Sequence, residues 1–328
     1  MSRFAVIGSN SFSGSHFVHH CLKMGHEVIG ISRSDELSTV FLPYKWDKPG
    51  NFTFYKLDLN TDLHQIMSVV DLFKPQYVVN FAAQSMVGES WTHPEHWFMT
   101  NTVSTIKFHD KLRQCDYLEK YIHISTPEVY GNCTGFISEN SNYHSSTPYA
   151  ISRAAADMSL LAFFNSYNFP VVMTRAANVF GPGQQLYRII PRSILYFLTN
   201  KKLQLHGGGQ SVRSFIHIKD VCVGTLSAAF NGKPGDIFHL STDETISILD
   251  LVKLIAQKLG TSFEASVDIV EDRKGKDNAY LLDCTKAKHD LNWKSSINIS
   301  SGIDDTISWV KSNLHSLKSE NQNYVHKP

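Results

Sequence analysis

The start of the chain carries the pattern that most restricts how it can fold. A short apolar run at residues 4–7 ends in a turn that begins with Gly8 and closes with Gly14. A helical pattern follows, and then a second apolar run at residues 27–31. Strand, glycine turn, helix and second strand form the unit that binds a dinucleotide, with the pyrophosphate at the helix N-terminus. We therefore expect an α/β fold, with a Rossmann-type parallel sheet flanked by helices.

A second stretch, residues 121–153, combines groups suited to chemistry. A buried strand ends at Thr126 and Glu128, and after a polar loop a helix begins near Pro148. Tyr149 and Arg153 are four residues apart, so they share one face of that helix. A unit charge about 6 Å away at an effective dielectric of about 20 contributes ~3 kcal/mol. The spacing thus predicts a lowered pKa for Tyr149, and such a phenol can act as a base toward an alcohol.

This stretch resembles two sequence signatures. Tyr149 and Arg153 resemble the Tyr-x-x-x-Lys of the extended short-chain dehydrogenases/reductases. The strand end resembles the Thr-Asp-Glu of nucleotide-sugar 4,6-dehydratases, with Pro127 in place of the aspartate. By this resemblance the catalytic residues are Thr126, Glu128, Tyr149 and Arg153. The implied reaction converts a nucleotide-linked hexose to a 4-keto-6-deoxyhexose by oxidation at C4, loss of water across C5–C6 and return of hydride to C6.

Other reactions of the same superfamily stay open. Nucleotide-sugar epimerases usually lack the glutamate, whereas UDP-glucuronate decarboxylases carry Thr-Ser-Glu and are harder to separate; C4 oxidoreductases are a further alternative. Pro127 cannot protonate a departing hydroxyl, but in GDP-mannose dehydratases that position is also non-acidic and the glutamate makes both proton transfers. A non-catalytic NAD(P)-binding module is an alternative of another class, supported by Ser11, Pro127 and Arg153 together.

The resemblance assigns the cofactor site to the ends of the first four strands. Ser11 stands at the middle glycine of the family's Gly-x-x-Gly-x-x-Gly and so weakens the match. Ser32 and Arg33 stand where NAD-binding relatives place an aspartate, and a guanidinium flanked by hydroxyls suits a 2′-phosphate. We therefore expect NADP, with NAD as the alternative. The expected cofactor contacts are Gly8, Asn10, Ser11, Phe12, Ser13, Gly14, Ser32, Arg33, Asp58, Leu59, Phe81, Ala82, Ala83, Tyr149 and Arg153.

The substrate site is expected on loops that follow other strands. Gln84 and Ser85 lie in a segment that resembles the family's Ala-Ala-Gln-Ser-His-Val, and Asn178 lies in one that resembles Asn-Asn-Tyr-Gly-Pro. Three arginines match positions that contact the substrate diphosphate, and Asn101 matches a structurally important asparagine. The expected substrate contacts are Gln84, Ser85, Thr126, Asn178, Arg188, Arg213 and Arg273.

Composition narrows the possible partners. The 328 residues are 42% hydrophobic with a formal net charge of +1, and no basic stripe suggests nucleic acid. The five cysteines form no CxxC pair, which favours a reducing compartment, and no apolar run reaches the length of a membrane span. His16, His19 and His20 share a helix face without a further metal ligand. We expect a cytoplasmic protein that binds no nucleic acid, membrane or metal.

The resemblance also predicts how the chain is divided. We place the NAD(P)-binding domain at residues 1–175, with an added strand near residues 215–240. A smaller, interleaved C-terminal α/β lobe for the nucleotide sugar follows at 176–318, and a disordered polar tail at 319–328. Helices over residues 100–113 and 149–164 match those through which the family pairs, and the second is more apolar than a solvent-facing helix needs. We expect a homodimer.

Overall fold

The computed structural model of the protein describes residues 1–47, 50–133, 135–271 and 281–328. The strands in these ranges are β1 Arg3–Ile7, β2 Glu27–Ser32, β3 Phe52–Lys56, β4 Tyr77–Asn80, β5 Lys120–Ile124, β6 Phe136–Ile137, β7 Val171–Ala176, β8 Asn178–Phe180, β9 Leu203–His206, β10 Val212–Arg213, β11 Phe215–His217, β12 Ile237–Leu240, β13 Ile246–Ser247, β14 Val267–Val270 and β15 Leu281–Leu282. The helices are α1 Phe12–Lys23, α2 Leu63–Phe73, α3 Pro94–Phe98, α4 Thr105–Leu112, α5 Pro148–Tyr167, α6 Ile189–Leu198, α7 Ile218–Asn231, α8 Ile248–Leu259, α9 Phe263–Ser266, α10 Thr285–Asp290, α11 Ile299–Ser312 and α12 Leu314–Ser319.

Seven strands form one parallel sheet in the order β12-β7-β5-β4-β1-β2-β3. The chain runs outward from β1 to β3 and then returns to β4 on the other side of β1. Sheets of this kind bind ligands in the crevice at the carboxyl ends of the strands, where the order reverses. The predicted Rossmann-type fold is confirmed, and the crevice lies at the end of β1.

Helices cover both faces of this sheet because side chains alternate along each buried strand. Phe4 and Val6 of β1 pack in one core cluster with Phe17 of α1 and with α7. Ala5 and Ile7 point to the opposite face, where α2, α4 and α5 supply the packing partners. No helix in the described ranges has both the length and the apolar character that crossing a membrane requires.

The chain builds a smaller lobe after β7. In this lobe β8 pairs with β11 and β9 with β14 in parallel, while β10 and β13 are antiparallel. Helices α6, α8 and α11 surround a separate core that includes Ile194, Ile255 and Ile307. Between these segments α7 and β12 return to the main sheet, where Ile237 pairs with Met173 of β7. The smaller lobe therefore begins at the carboxyl end of β7, on the same edge of the sheet as the end of β1.

Candidate active site

The turn between β1 and α1 brings main chain close to the crevice. Gly8 has φ +81°, and a Cβ there would lie 2.7 Å from the amide nitrogen of Ala82. A Cβ on Gly14 would lie 2.2 Å from the carbonyl oxygen of Gly8. Only glycine fits at either position. A tight turn without side chains at a helix N-terminus is the geometry that a phosphate group needs, so these residues fit a dinucleotide.

Ser11 supports this turn from within. Its hydroxyl donates to the carbonyl oxygen of Gly8 (2.7 Å) and accepts from the amide of Gly14 (3.1 Å), as the N-cap of α1. The side chain is therefore folded back into the turn. Asn10 donates from Nδ2 to the carbonyl oxygen of Ser34 (2.9 Å) and so holds the end of β2 beside the turn. Phe12 is buried and Ser13 is half-buried.

The ends of β2 and β3 lie next to the turn, at the same carboxyl edge of the main sheet. The Oγ of Ser32 accepts from the amide of Asn10 (3.2 Å), which keeps the buried hydroxyl at the turn. Arg33 lies next to it and is half-buried. Asp35, the first acid after the strand, points outward and pairs with Lys56 (2.7 Å). Beyond β3, the carboxylate of Asp58 caps its own turn by accepting from the amide of Asn60, and Leu59 is buried.

The loop after β4 lies on the opposite side of β1 from the end of β2. Asn101 accepts from the amide of Gln84 (2.8 Å) and donates to its carbonyl oxygen (3.0 Å) and to Oγ of Ser152 (2.9 Å). Asn101 lies in a π-helical stretch, Met99–Ser104, where we predicted an ordinary helix over residues 100–113. The wider turn of the π-helix places the side-chain amide of Asn101 against the loop after β4. Around this point Phe81, Ala82 and Ala83 are half-buried and Ser85 is exposed.

Thr126, Glu128 and Tyr149 converge at the end of β5. Thr126 is the N-cap of the 3₁₀ turn Pro127–Tyr130, and its hydroxyl accepts from the amide of Glu128 (3.3 Å). Pro127 takes the first position of that turn, which suits its fixed φ. Thr147 caps α5 and thereby fixes the start of the helix that carries Tyr149. The Thr126 hydroxyl is hydrogen bonded to the Tyr149 phenol, and the Glu128 carboxylate acts on the same phenol.

The pKa of Tyr149 is raised, so the predicted lowering is wrong for the free protein. Burial is the largest cause, and the carboxylate of Glu128 raises the pKa further. Arg153 does lower the pKa, as do Arg188 and the hydrogen bond with Thr126, but they do not outweigh the first two causes. The prediction counted one cation and omitted desolvation and the neighbouring acid.

Arg153 is buried against β5. Its Nη2 donates to the carbonyl oxygen of Ile124 and lies 3.3 Å from Nε2 of His123. Burial, and then the charge of Arg153, hold the pKa of His123 well below its usual range, so this imidazole is neutral and accepts. Among the described residues, Nε of Arg153 has no hydrogen-bond partner. Because buried polar atoms normally have partners, this N–H is suited to a bound ligand.

A buried polar network behind the site was missed from the sequence. The carboxylate of Asp157 accepts from Nη2 of Arg175 (2.8 Å), and Arg175 also donates to the phenol oxygen of Tyr130. Both Asp157 and Arg175 have no solvent exposure. A signal was present, because Asp157 follows Arg153 at the same four-residue spacing that joins Arg153 to Tyr149.

The residues assigned to the substrate diphosphate fall in different places. Arg188 precedes α6 and acts electrostatically on the phenol of Tyr149, so the two side chains lie within electrostatic range of each other. Arg213 lies on β10 in the smaller lobe. Asn178 of β8 donates from Nδ2 to the carbonyl oxygen of the residue after Arg213 (3.2 Å), which brings these two positions together. Arg273 lies outside the described residues.

Two groups of histidines in the described part of the chain can be compared with what a metal site requires. His16 is buried with Nε2 against the carbonyl oxygen of Pro182 (2.7 Å), and burial lowers its pKa to about 3. Elsewhere, His93, Glu95 and His96 bring possible ligand atoms within 4.8 Å of one another. The rings of His93 and His96 are stacked, however, at 5.2 Å and 25°. Two parallel rings cannot both direct a lone pair at one ion, so we assign no metal to this group.

Residues 319–328, expected to be disordered, make specific contacts instead. Helix α12 ends at Ser319, and further on the main-chain oxygen of Lys327 accepts from Arg33 and Gln84, which follow β2 and β4. The carbonyl oxygen of Gln322 accepts from Arg192 (2.6 Å), and the ring of His326 stacks on Trp97 (5.0 Å). Composition identifies this segment as polar but does not show the aromatic and main-chain partners that hold it.

Comparison with known proteins gives consistent matches along most of the chain. Residues 6–306 match the family model described as GDP-mannose 4,6 dehydratase. The chain is 30% identical to the dTDP-D-glucose 4,6-dehydratase of Homo sapiens over 324 residues, which cover 96% of this chain and 92% of that protein. It is also 30% identical to the dTDP-glucose 4,6-dehydratase of Streptomyces antibioticus, covering 94% of this chain and 92% of the relative.

Solved structures show the same likeness. DesIV, a dTDP-glucose 4,6-dehydratase from Streptomyces venezuelae with NAD and TYD bound, superposes with a TM-score of 0.88 at 28% identity, covering 96% of this chain and 98% of that one. A UDP-glucose 4-epimerase from Thermotoga maritima with UDP-glucose gives a TM-score of 0.87 at 26% identity, covering 95% and 99%. The overall fold is thus shared by dehydratases and epimerases, and the site residues must separate them.

Proposed function

We infer that this chain, which belongs to the GDP-mannose 4,6-dehydratase family of extended short-chain dehydrogenases/reductases, is a nucleotide-sugar 4,6-dehydratase. It converts a nucleoside-diphosphate hexose to the 4-keto-6-deoxyhexose and uses NAD(P) catalytically. The observation that carries this conclusion is the convergence of Thr126, Glu128 and Tyr149 at the end of β5. With a dinucleotide as hydride acceptor, a tyrosine and a threonine handle the O4 proton during oxidation at C4, whereas dehydration also needs an acid–base group beside them, and Glu128 supplies it.

In the first step Tyr149 takes the proton of the 4-hydroxyl group while Thr126 hydrogen bonds to O4. Because burial and Glu128 raise the pKa of Tyr149, the phenolate requires added positive charge nearby. Arg153 and Arg188 already act in that direction. A bound oxidised dinucleotide supplies the hydride acceptor and a further positive charge. The unpartnered Nε of Arg153 is our candidate donor to the ribose of that dinucleotide.

In the second step Glu128 removes the proton from C5, which the new 4-ketone has made acidic. The C5–C6 double bond forms as the C6–O bond breaks, and the departing hydroxyl needs a proton to leave as water. Pro127 has none to give, so the carboxyl group of Glu128 returns the proton it has just taken. A bound dinucleotide would then return the hydride to C6, and Glu128, reprotonated from solvent, would give a proton to C5. The proton that Tyr149 took from the 4-hydroxyl group leaves to solvent, so the sugar loses one water overall.

The direct test offers the purified protein dTDP-glucose, UDP-glucose, GDP-mannose and UDP-glucuronate separately, with NAD⁺ or NADP⁺. We expect a product lighter by one water from at least one of these sugars, measured by mass spectrometry. An unchanged mass with inverted C4 would identify an epimerase, and loss of carbon dioxide from UDP-glucuronate a decarboxylase. Dinucleotide binding with no turnover of any sugar would support a binding module. Native mass spectrometry of the protein as purified identifies which nucleotide sugar it retains.

We also propose a preference for NADP, although the solved relatives carry NAD. Arg33 stands at the end of β2, and the first acid, Asp35, is turned away in its pair with Lys56. Hydrogen bonds to a charged group contribute about 1.5–3 kcal/mol, so Arg33→Ala should weaken NADP⁺ about 10–100-fold relative to NAD⁺. The measurement is the ratio of the two dissociation constants by calorimetry. Arg113→Ala, on the distant α4 side, is the control and should leave the ratio unchanged; an equal loss for both dinucleotides would favour NAD.

A homodimer is proposed on the exposed apolar residues of two neighbouring elements. Met99 and Val103 precede α4 and are 45% and 37% exposed, and Ile151 and Met158 on α5 are 45% and 61% exposed. Each pair repeats at helical spacing, so each presents one apolar face to solvent. We expect a dimer by light scattering at micromolar concentration and a monomer for Met158→Lys. Met24→Lys, at the equally exposed C-cap of α1, is the matched control; a monomeric wild type would contradict the proposal.

We propose a cytoplasmic location and no nucleic-acid partner. Cys21, Cys222 and Cys284 are buried thiols that form no disulfide among the described residues. Burial raises the pKa of these three thiols, so they stay protonated and unreactive. Scattered reduced cysteines support a reducing compartment.

A further inference from the structure

Residues 321–328 lie in the crevice at the carboxyl edge of the sheet. The main-chain oxygen of Lys327 accepts from Nη2 of Arg33 (3.2 Å) and from Nε2 of Gln84 (2.6 Å), and that of Pro328 accepts from Nη1 of Arg33 (2.6 Å). Arg33 follows β2 and Gln84 follows β4, and these strands flank β1 in the sheet. Lys327 therefore spans the end of β1, over the turn where this fold places the pyrophosphate of a dinucleotide.

Side chains anchor the segment to the wall of the Rossmann domain. The ring of His326 lies parallel to that of Trp97, with centroids 5.0 Å apart, and its Nε2 is 2.8 Å from Nδ1 of His96. The ammonium group of Lys327 donates to Oγ of Ser34 (2.9 Å). Trp97 is fully buried, so it offers a fixed surface for the imidazole.

The segment also reaches the smaller lobe. Tyr324 packs edge-on against Tyr187 at 5.5 Å. Burial, followed by Tyr187, raises the pKa of Tyr324; Glu89 also raises it, while Arg33 and Arg188 lower it, so this phenol is within electrostatic range of both arginines. Since Arg33 is our cofactor contact and Arg188 our substrate contact, the segment extends over both parts of the proposed site.

We propose that residues 321–328 are an internal competitor of the dinucleotide. In the free protein the segment occupies the crevice, and a dinucleotide binds when the segment has left. The proposal rests on the proposed function, because it takes the crevice to be the cofactor site. An N–H of Arg33 that donates to a main-chain oxygen of the segment cannot donate to a phosphate oxygen of the dinucleotide at the same time. The measured affinity for the dinucleotide is therefore reduced by the fraction of molecules whose crevice is open.

A strap that closes over a bound dinucleotide is the other arrangement such a segment could adopt. A strap would contact the outer side of the cofactor and leave the ends of the strands for the cofactor itself. Here the main-chain oxygens are bonded directly to the residues after β2 and β4. These contacts favour competition, and the two arrangements change cofactor affinity in opposite directions.

The test measures NADP⁺ and NAD⁺ binding by calorimetry for wild type and three variants. Deletion of residues 321–328, which begins after the C-cap of α12, should tighten both dinucleotides about tenfold. His326→Ala should act in the same direction and more weakly, because it removes the ring contacts with Trp97 and His96 but leaves the main-chain bonds of Lys327 and Pro328 with Arg33 and Gln84. Val325→Ala alters a side chain that is 60% exposed and should change nothing. Weaker binding after deletion would identify a strap, and unchanged binding would likewise overturn competition.

A second measurement separates this proposal from the proposed function. A synthetic peptide of residues 321–328 is titrated into the deletion variant, with a scrambled peptide as control. We expect binding of the native peptide and its displacement by NADP⁺. If neither the wild type nor the deletion variant binds a dinucleotide, the proposed function is wrong and the competitor role is wrong with it. If both bind it equally well and the peptide does not bind, the competitor role alone fails.

Discussion

Tyr149→Phe should stop the reaction before any hydride moves. The variant keeps the ring in its buried position but loses the oxygen that takes the proton of the 4-hydroxyl group. Removal of a general base typically costs about 10²–10⁴-fold in rate, and here that cost falls on the first chemical step. A single turnover should therefore show neither nicotinamide absorbance nor release of water. Tyr167→Phe, an exposed tyrosine on the same helix, is the control and should behave as wild type.

The pH dependence of kcat/KM tests independently whether Tyr149 is the base. Burial and the Glu128 carboxylate raise the pKa of Tyr149 in the free protein. A base must be deprotonated to act, so the kcat/KM of the wild type should increase with pH through the ionisation of this phenol and decrease as pH falls below it. This limb should be absent from the residual activity of Tyr149→Phe. If both proteins keep the same limb, another group is the base.

The fold was predictable from the sequence because local patterns coincide with the sheet order. Residues 4–31 form a βαβ unit, and the residues assigned to the cofactor, apart from Tyr149 and Arg153 on α5, lie at or after the ends of strands β1 to β4 at one edge of the sheet. Gly8 and Gly14 could be identified from the sequence because neighbouring main-chain atoms lie so close to both positions that only glycine fits there. The convergence of Thr126 and Tyr149 could be anticipated in the same way, since a strand end and the next helix start are neighbours in such a sheet.

Features that depend on several distant residues at once were not predictable. The sign of the Tyr149 pKa shift is a balance of burial, one carboxylate and two arginines, and sequence spacing reveals only Arg153. Arg175 joins the buried Asp157 network from a strand that carries no motif of its own. The path of residues 321–328 depends on partners such as Gln84 and Trp97, which lie more than two hundred positions away along the chain.

Glu128→Gln should separate oxidation from dehydration. Glutamine keeps the length of the side chain but cannot take the proton from C5, and it also removes the negative charge that raises the pKa of Tyr149. Oxidation at C4 should therefore proceed at least as readily as in the wild type, seen as nicotinamide absorbance in a single turnover. Release of the 4-keto-6-deoxy product should fall about 10²–10⁴-fold. Exchange of the C5 hydrogen with heavy water, followed by mass spectrometry, should fall with it.

In Glu128→Gln, product release and exchange of the C5 hydrogen must decrease together if Pro127 leaves Glu128 as the acid for the departing hydroxyl. With a proline at that position, the proton that leaves C5 is the one that Glu128 hands to the departing hydroxyl, so neither event can proceed without this carboxyl group. Pro127→Asp tests the point from the other side, because it restores a second acid. In the Glu128→Gln background it should leave C5 exchange blocked, since an acid at 127 protonates the leaving group without removing the C5 proton. Product release by Glu128→Gln at near the wild-type rate would instead place the base elsewhere, and the epimerase and binding-module interpretations would gain support.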